Sequence, residues 1–138
     1  MTPNDLDRAV WLEACRAYAR MFNTLNYGAL EPWSPDDFQY ESQWVYSALE
    51  SKAAYAAYIV PKMDLIRREG SRLWAEIAYV QAFQPGPGPG PCVVLAQDQR
   101  ERLHSTLLLK MRGRQIQRAD LCFIPAPESC RRTGELPV

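Results

Sequence analysis

The sequence predicts an α+β domain, and three observations predict it. Two stretches in the first half carry apolar residues at helical spacing, the second half alternates with the period of strands, and a proline–glycine run from Pro85 to Pro91 separates two of those strands. Proline lacks a ladder donor and glycine loses the most entropy on ordering, so the run is expected in a connection, not inside a sheet. Its alternate prolines also remove the backbone donors that a phosphate cradle needs, and their stiffness argues for a shaped rim bordering a mouth of the domain.

The 138-residue chain has the size of one domain, with residues 1–125 as the domain proper and 126–138 as a mobile, weakly apolar tail. Formal charge is zero; up to Gly70 there are seven basic and ten acidic residues, and after it nine basic and six acidic. That asymmetry is too weak for the concentrated basic face of a nucleic-acid reader, so no nucleic-acid partner is expected. Cys15, Cys92, Cys122 and Cys130 show no C-x-x-C spacing and His104 is the single histidine, so neither a metal site nor a cofactor is expected and the thiols read as free and mostly buried. With no basic-then-apolar leader and no apolar run near the ~20 residues of a bilayer span, a soluble cytoplasmic protein without a membrane partner is expected.

The first helix has Thr2 as N-cap, Pro3 at its first position, Asp5 in a capping-box-like place, and a stripe of Leu6, Ala9, Val10, Ala14, Ala17, Met21, Phe22 and Leu25; Gly28 lies just beyond its end. Pro32, Pro35 and Asp36-Asp37 mark a loop. From Phe38 to Tyr46, Phe38, Tyr40, Ser42, Trp44 and Tyr46 alternate with Gln39, Glu41, Gln43 and Val45, which predicts one strand with a buried face. Ser51 to Glu69 is helical, Pro61 is expected to kink it or begin a second short helix, and Gly70 ends it. Strands follow over 72–83, 92–98, 103–111 and 115–124, an antiparallel meander with a turn at Arg112-Gly113-Arg114.

The segment Ser34-Pro-Asp-Asp-Phe-Gln-Tyr-Glu-Ser-Gln-Trp-Val45, the helix opening Ser51-Lys-Ala-Ala-Tyr55 and the final hairpin ending in Ile116 to Phe123, in this element order, resemble the nuclear transport factor 2-like superfamily, which includes ketosteroid isomerases and polyketide-cyclase-like proteins. The resemblance covers the chain to about Pro125. It implies a cone, a strongly curved, mainly antiparallel sheet wrapped around the long helix and the kinked helix, with an apolar pocket at the wide end. It places Ser42 where the isomerases carry their catalytic aspartate and Thr106 near their second acid, and neither is an acid. A serine cannot shuttle a proton as a carboxylate does at neutral pH, so isomerase chemistry itself is not expected. Tyr18 falls near the position of the oxyanion-hole tyrosine, where a phenol could donate into the pocket.

Two constellations could carry chemistry. With a three-residue loop at Met111-Arg112-Gly113, His104 lies opposite Asp120 and Thr106 opposite Arg118, a cross-strand His–Asp pair; Leu103, Leu107 and Leu109 then join Ala119, Leu121 and Phe123 on the inner face, leaving His104 and Asp120 outside. With a two-residue turn at Arg112-Gly113, His104 faces Leu121 and could point inward. The second constellation is aromatic: Tyr18, Tyr40, Trp44, Tyr58 and Trp74, with Ser42 or Glu76 as polar anchors, could line a pocket for a flat apolar ligand or simply form the core.

The expected function is therefore binding of a small apolar or aromatic ligand in an aromatic-lined pocket, with acid–base chemistry of isomerase or cyclase type resting on His104 and Asp120. The alternative is a non-enzymatic dimerisation or adaptor module that associates through its sheet face, using Leu107, Leu109 or Ile116. A homodimer through that face is expected.

Overall fold

From N- to C-terminus the elements are α1 (Pro3–Thr24), two short 3₁₀ turns, β1 (Gln39–Ser42), β2 (Val45–Leu49), α2 (Lys52–Arg68), β3 (Leu73–Val80), β4 (Gly90–Gln97), β5 (Leu103–Arg112), β6 (Gln115–Cys122), a third 3₁₀ turn and β7 (Arg131–Arg132). A computed structural model describes residues 3–81 and 88–138, apart from the side chains of residues 3, 4, 45 and 46. The expected cap at Thr2, the strand end at Phe83, and Pro85, Gly86 and Pro87 of the connection lie outside the described residues. The strands form one curled sheet ordered β2-β1-β6-β5-β4-β3-β7, antiparallel except where β1 runs parallel to β6.

Helix α1 packs on β3 and β4 through Trp11, Ala14, Cys15, Tyr18, Ala19, Met21 and Phe22, all buried, while the start of the expected stripe is open to solvent, with Leu6 53 % exposed. The helix stops at Leu25, which takes the left-handed conformation (φ 52°) so that the Asn26 N–H reaches the Met21 carbonyl at 3.0 Å. Gly28, just beyond the helix as expected, is the middle residue of the 3₁₀ turn Tyr27–Ala29. At α2 the Ser51 hydroxyl caps the Ala54 N–H at 3.0 Å, and Gly70 (φ 68°) ends the helix, with Ser71 N–H bonded to the Ile66 carbonyl at 3.0 Å. The helix runs unbroken through Pro61. Pro61 and Ala57, whose carbonyl loses its helical donor, are both exposed, so water satisfies what the proline removes. Tyr55, Ile59, Met63 and Ile66 turn the other face to the core.

Four expectations about the sheet are corrected. Residues 38–46 do not form one strand: β1 and β2 make a hairpin about Gln43 and Trp44, because the Ser42 hydroxyl accepts the Trp44 N–H (3.1 Å) and the Gln43 amide oxygen takes the Phe123 N–H (2.6 Å). Gly90 and Pro91 belong to β4, opposite Val80 and Tyr79; β4 pairs with β5 only from Val93 on, and proline is tolerated at the start of a strand. The β5–β6 turn is Gly113-Arg114, with Arg112 opposite Gln115, and a bulge follows in β6, so Thr106 faces Cys122, Leu108 faces Asp120 and Lys110 faces Arg118. This is neither of the two expected registers. Finally, Leu107, Leu109 and Ile116 are core residues packed under the sheet and offer no surface for association.

The segment after Pro125 is built into the fold, contrary to the expectation of a loose tail. Its 3₁₀ turn, Pro127–Ser129, lies against β5, and β7 adds to the edge of β3, with Arg132 opposite Ala78. Ile77 gives its N–H to the Glu135 carbonyl (2.9 Å) and its carbonyl to the Thr133 N–H (3.2 Å), while Asn23 of α1 satisfies both backbone groups of Ala75 (2.8 and 2.7 Å). Beneath this strap the buried carboxylate of Glu76 accepts from Arg132 (2.8 and 3.1 Å) and from the Gly134 N–H (3.1 Å). Burial pushes the Glu76 carboxyl up, but these donors outweigh it and hold the group below its usual 4.5. A carboxyl depressed on folding stabilises the protein above its unfolded value and loses that contribution as pH falls through the folded one. Glu76→Gln is expected to cost about 1–3 kcal/mol at neutral pH and to flatten the acid limb of stability against pH. Thermal unfolding at pH 3 to 7 checks this; equal midpoints for both proteins at pH 7 would disprove it.

Candidate active site

The site is made by one irregularity in β5. Leu95 pairs with Ser105 but Ala96 pairs with Leu103, so His104 is an extra residue opposite the β4 ladder. A bulge of this kind re-aims the side chains around it. Leu103 consequently packs in the outer apolar cluster of Ala78, Val80, Cys92, Val94 and Cys130, whereas His104 joins the inner face beside Leu95 and Leu121. Both placements are the reverse of the first expected register.

There His104 borders a small cleft whose walls are Tyr40, Ile59, Met63, Leu95 and Leu121 and whose opening carries the exposed Lys62 and His104. The cleft encloses about 50 Å³, room for a few waters, where pockets for drug-sized ligands span about 300–1,000 Å³. Most of the cone interior is filled by its own aromatics. Tyr18 and Tyr55 are completely buried, and the Tyr18 hydroxyl donates to that of Tyr55 at 2.5 Å. The Tyr55 ring lies 5.1 Å from Phe38 and 4.8 Å from Tyr40, and Tyr40 lies 5.8 Å from Tyr58. Lys62 closes the series, donating to the Tyr58 hydroxyl at 3.3 Å.

Burial pushes the hydroxyls of Tyr18, Tyr55 and Tyr40 well above the usual phenol range, and neighbouring phenols add to this. All three remain protonated at physiological pH. His104 is shifted the other way: burial of one side of the ring, and then the Lys62 ammonium, hold its pKa below the usual 6.5. Its Nδ1 lies 2.6 Å from the Ser105 hydroxyl, and Nε2 has no hydrogen-bond partner among the described residues.

The structure brings Tyr40, Tyr58 and His104 to the cleft and puts Tyr18 behind them, in the core. The remaining expected site residues lie elsewhere. Ser42 is buried, with its hydroxyl committed to the hairpin turn. Trp44 is 59 % exposed at the hairpin, edge-on to Phe123 at 4.2 Å. Trp74 and Glu76 alternate with the core residues Leu73, Ala75 and Ile77 and so occupy the outer face, where the Arg72 guanidinium covers the indole at 3.6 Å. Thr106 is on that face too, buried beside the Cys130 sulfur at 3.9 Å. Asp120 lies opposite Leu108, away from His104, and both its oxygens accept from Arg118 at 3.0 Å, so the expected His–Asp pair does not form. The proline–glycine connection joins the Val80 and Gly90 ends of β3 and β4. The cleft touches their other ends, Leu73 and Gln97, about 23 Å away at ~3.3 Å per residue, and residues 82–87 of the connection lie outside the described residues.

Lys62 and Gln97 are not among the expected site residues. Lys62 falls within the Ile59, Met63, Ile66 face of α2, four residues after Tyr58, and that interruption of an apolar stripe by a cation was the available signal.

No protein-family model matches the chain, and no curated protein matches it. Solved structures do. A SnoaL-like protein of unknown function from Burkholderia thailandensis superposes with a TM-score of 0.58 at 14 % identity, over 83 % of this chain and 93 % of that one. A protein from Kribbella flavida provisionally named a ketosteroid isomerase gives 0.59 at 13 % identity over 83 % and 78 %, and one from Xanthomonas campestris provisionally named a polyketide cyclase gives 0.58 at 16 % over 83 % and 90 %. The fold is that of the nuclear transport factor 2-like superfamily. Among the described residues no helix is long and apolar enough to cross a membrane.

The electrostatics of the cleft are open to measurement. The His104 ring protons are expected to titrate by NMR with a midpoint below 6.5, and Lys62→Met is expected to move that midpoint up by removing the charged neighbour. An unchanged midpoint in the variant would show that Lys62 does not act on the imidazole.

Proposed function

We propose that the cleft binds a small molecule with an apolar body and one acidic group, and that His104 serves there as the proton acceptor of an acid–base reaction. The observation that carries this reading is the pairing of a cation and a neutral imidazole at the opening of an otherwise apolar cleft. Lys62 has no carboxylate partner among the described residues, and a cation held over apolar walls attracts an anion more strongly than one in open water. His104, kept neutral by burial and by Lys62, has a free Nε2 to take a proton. The Tyr40 hydroxyl, held protonated, supplies a donor from the same lining. Similar folds carry names that denote chemistry on ketosteroids and polyketides, which are apolar carbonyl compounds. Because the cleft is small, the ligand enters by displacing the flexible Lys62 side chain from Tyr58, and a single-ring acid fits better than a fused-ring sterol. The adaptor reading lacks a comparable support: the residues expected to carry it are in the core, and part of the outer sheet face is covered by the chain's own Cys130.

A bound anion between Lys62 and His104 raises the imidazole pKa, so that near pH 6.5 part of the imidazole takes up a proton on binding, whereas at higher pH it stays neutral and free to act as the acceptor. Binding of single-ring aromatic or alicyclic carboxylates, followed by calorimetry near pH 6.5 in two buffers of different ionisation enthalpy, is expected to show proton uptake and affinity that rises as pH falls towards 6. Lys62→Met should weaken binding about tenfold or more, equivalent to ~1.4 kcal/mol, and His104→Gln should abolish the proton uptake. Binding that is indifferent to both substitutions would refute the placement of the site.

A further inference from the structure

The outer face of the sheet holds a pair of thiols that the cleft does not use. Cys92 on β4 and Cys130, just before β7, belong to one buried cluster with Ala78, Val80 and Val94, although 38 positions of sequence separate them. The register explains the encounter. Cys92 lies opposite Ala78 on β3, and Ala78 in turn pairs with Arg132, two residues after Cys130. The 3₁₀ turn at Pro127–Ser129 carries the chain back over β5, so that the Cys130 sulfur descends to 3.9 Å from the Thr106 hydroxyl. The Cys130 thiol donates to the Ala126 carbonyl at 3.6 Å, and Cys92 is its neighbour in the cluster. All four cysteines are free thiols, and Cys15 and Cys122 have other surroundings: Cys15 faces the inner core from α1, and the Cys122 thiol donates to the Asp120 carbonyl at 3.7 Å.

We infer that Cys92 and Cys130 form a redox-responsive pair that a peroxide closes to a disulfide, fastening the C-terminal strap to the outer face of the sheet. The two sulfurs are unequal in the way such a reaction needs. The neighbouring Cys92 thiol, and then the nearby hydroxyls of Thr106 and Ser129, pull the Cys130 pKa below the usual thiol range against the effect of burial, while Cys92 is pushed up. The Cys130 thiolate attacks one peroxide oxygen, the O–O bond breaks, and the leaving oxygen takes a proton to become water, giving a sulfenic acid. The Cys92 sulfur then attacks the Cys130 sulfur. The S–O bond breaks, and the departing hydroxide takes the Cys92 proton to become a second water. Two thiols have lost two electrons and one hydrogen peroxide has gained them.

What the bond would hold is the strap that already links β3 to α1, where Arg16 meets Glu135 at 2.7 Å and Asn23 donates to the Pro137 carbonyl at 2.8 Å. The test treats the full chain with hydrogen peroxide near equivalence, alkylates the remaining thiols and maps the peptides by mass spectrometry. A Cys92–Cys130 linked pair is expected, with Cys15 and Cys122 alkylated and the link reversed by dithiothreitol. The same link should form in Cys122→Ser, and in Cys92→Ser the reaction should stop at a Cys130 sulfenic acid that dimedone traps. Carboxypeptidase should trim residues after Arg132 several-fold more slowly in the oxidised wild type than in the reduced. Retention of all four thiols, a link from Cys130 to Cys122 or to a second chain, or equal trimming of the two forms would overturn the inference; because the wild type itself carries these readouts, none depends on a variant folding.

Discussion

The seating of α1 in the hollow of the sheet is the contact on which the rest of this structure depends. Where the helix meets β3 and β4 its side chains are small, with Ala14, Cys15 and Ala19 fully buried, so the backbone comes close and the strands curl over it. Bulk enters from Tyr18, Met21 and Phe22 one turn further on, where the sheet opens and α2 supplies the other wall. A Leu at position 15 or 19 would have to displace strands on a close-packed surface, which costs more than the added burial returns.

The interior that results is nearly full, and that decides what kind of site it can be. Four aromatic rings, Phe38, Tyr55, Tyr40 and Tyr58, stack between the helices and β1, and only the end of the series meets solvent. Polar groups deep in the cone are phenols, which burial keeps neutral, so they can donate but not take up protons. Charge appears only at the opening, with Lys62 and His104. A reaction in this cone is therefore confined to its rim, and the carboxylates of the outer face, Glu76 and Asp120, are occupied by Arg132 and Arg118.

Much of this architecture was legible from spacing alone. The two helices, the meander and the inner set Leu107, Leu109, Ala119 and Leu121 follow from periodicities of 3.6 and 2. The failures cluster where period two breaks. A bulge adds one residue and reverses every later side chain, and nothing in Leu103-His104-Ser105 marks the place, so the first expected register puts Leu103 inside and His104 outside, while the second leaves His104 free to point inward. The hairpin at Gln43-Trp44 lacks the glycine or asparagine that usually announces one; side-chain bonds from Ser42 and Gln43 replace that local preference. The strap was illegible for another reason: a two-residue strand has no period, and what holds it is Glu76, far away in sequence.

The strap also bears on how the chain is made. Strand β7 leaves the ribosome after every other strand, and until it arrives the N–H and carbonyl of Ile77 have no partner. Asn23, synthesised long before, already covers the neighbouring Ala75 in the manner of a short piece of strand. Only about half of that edge therefore waits, open to another nascent chain, for the last segment to close it.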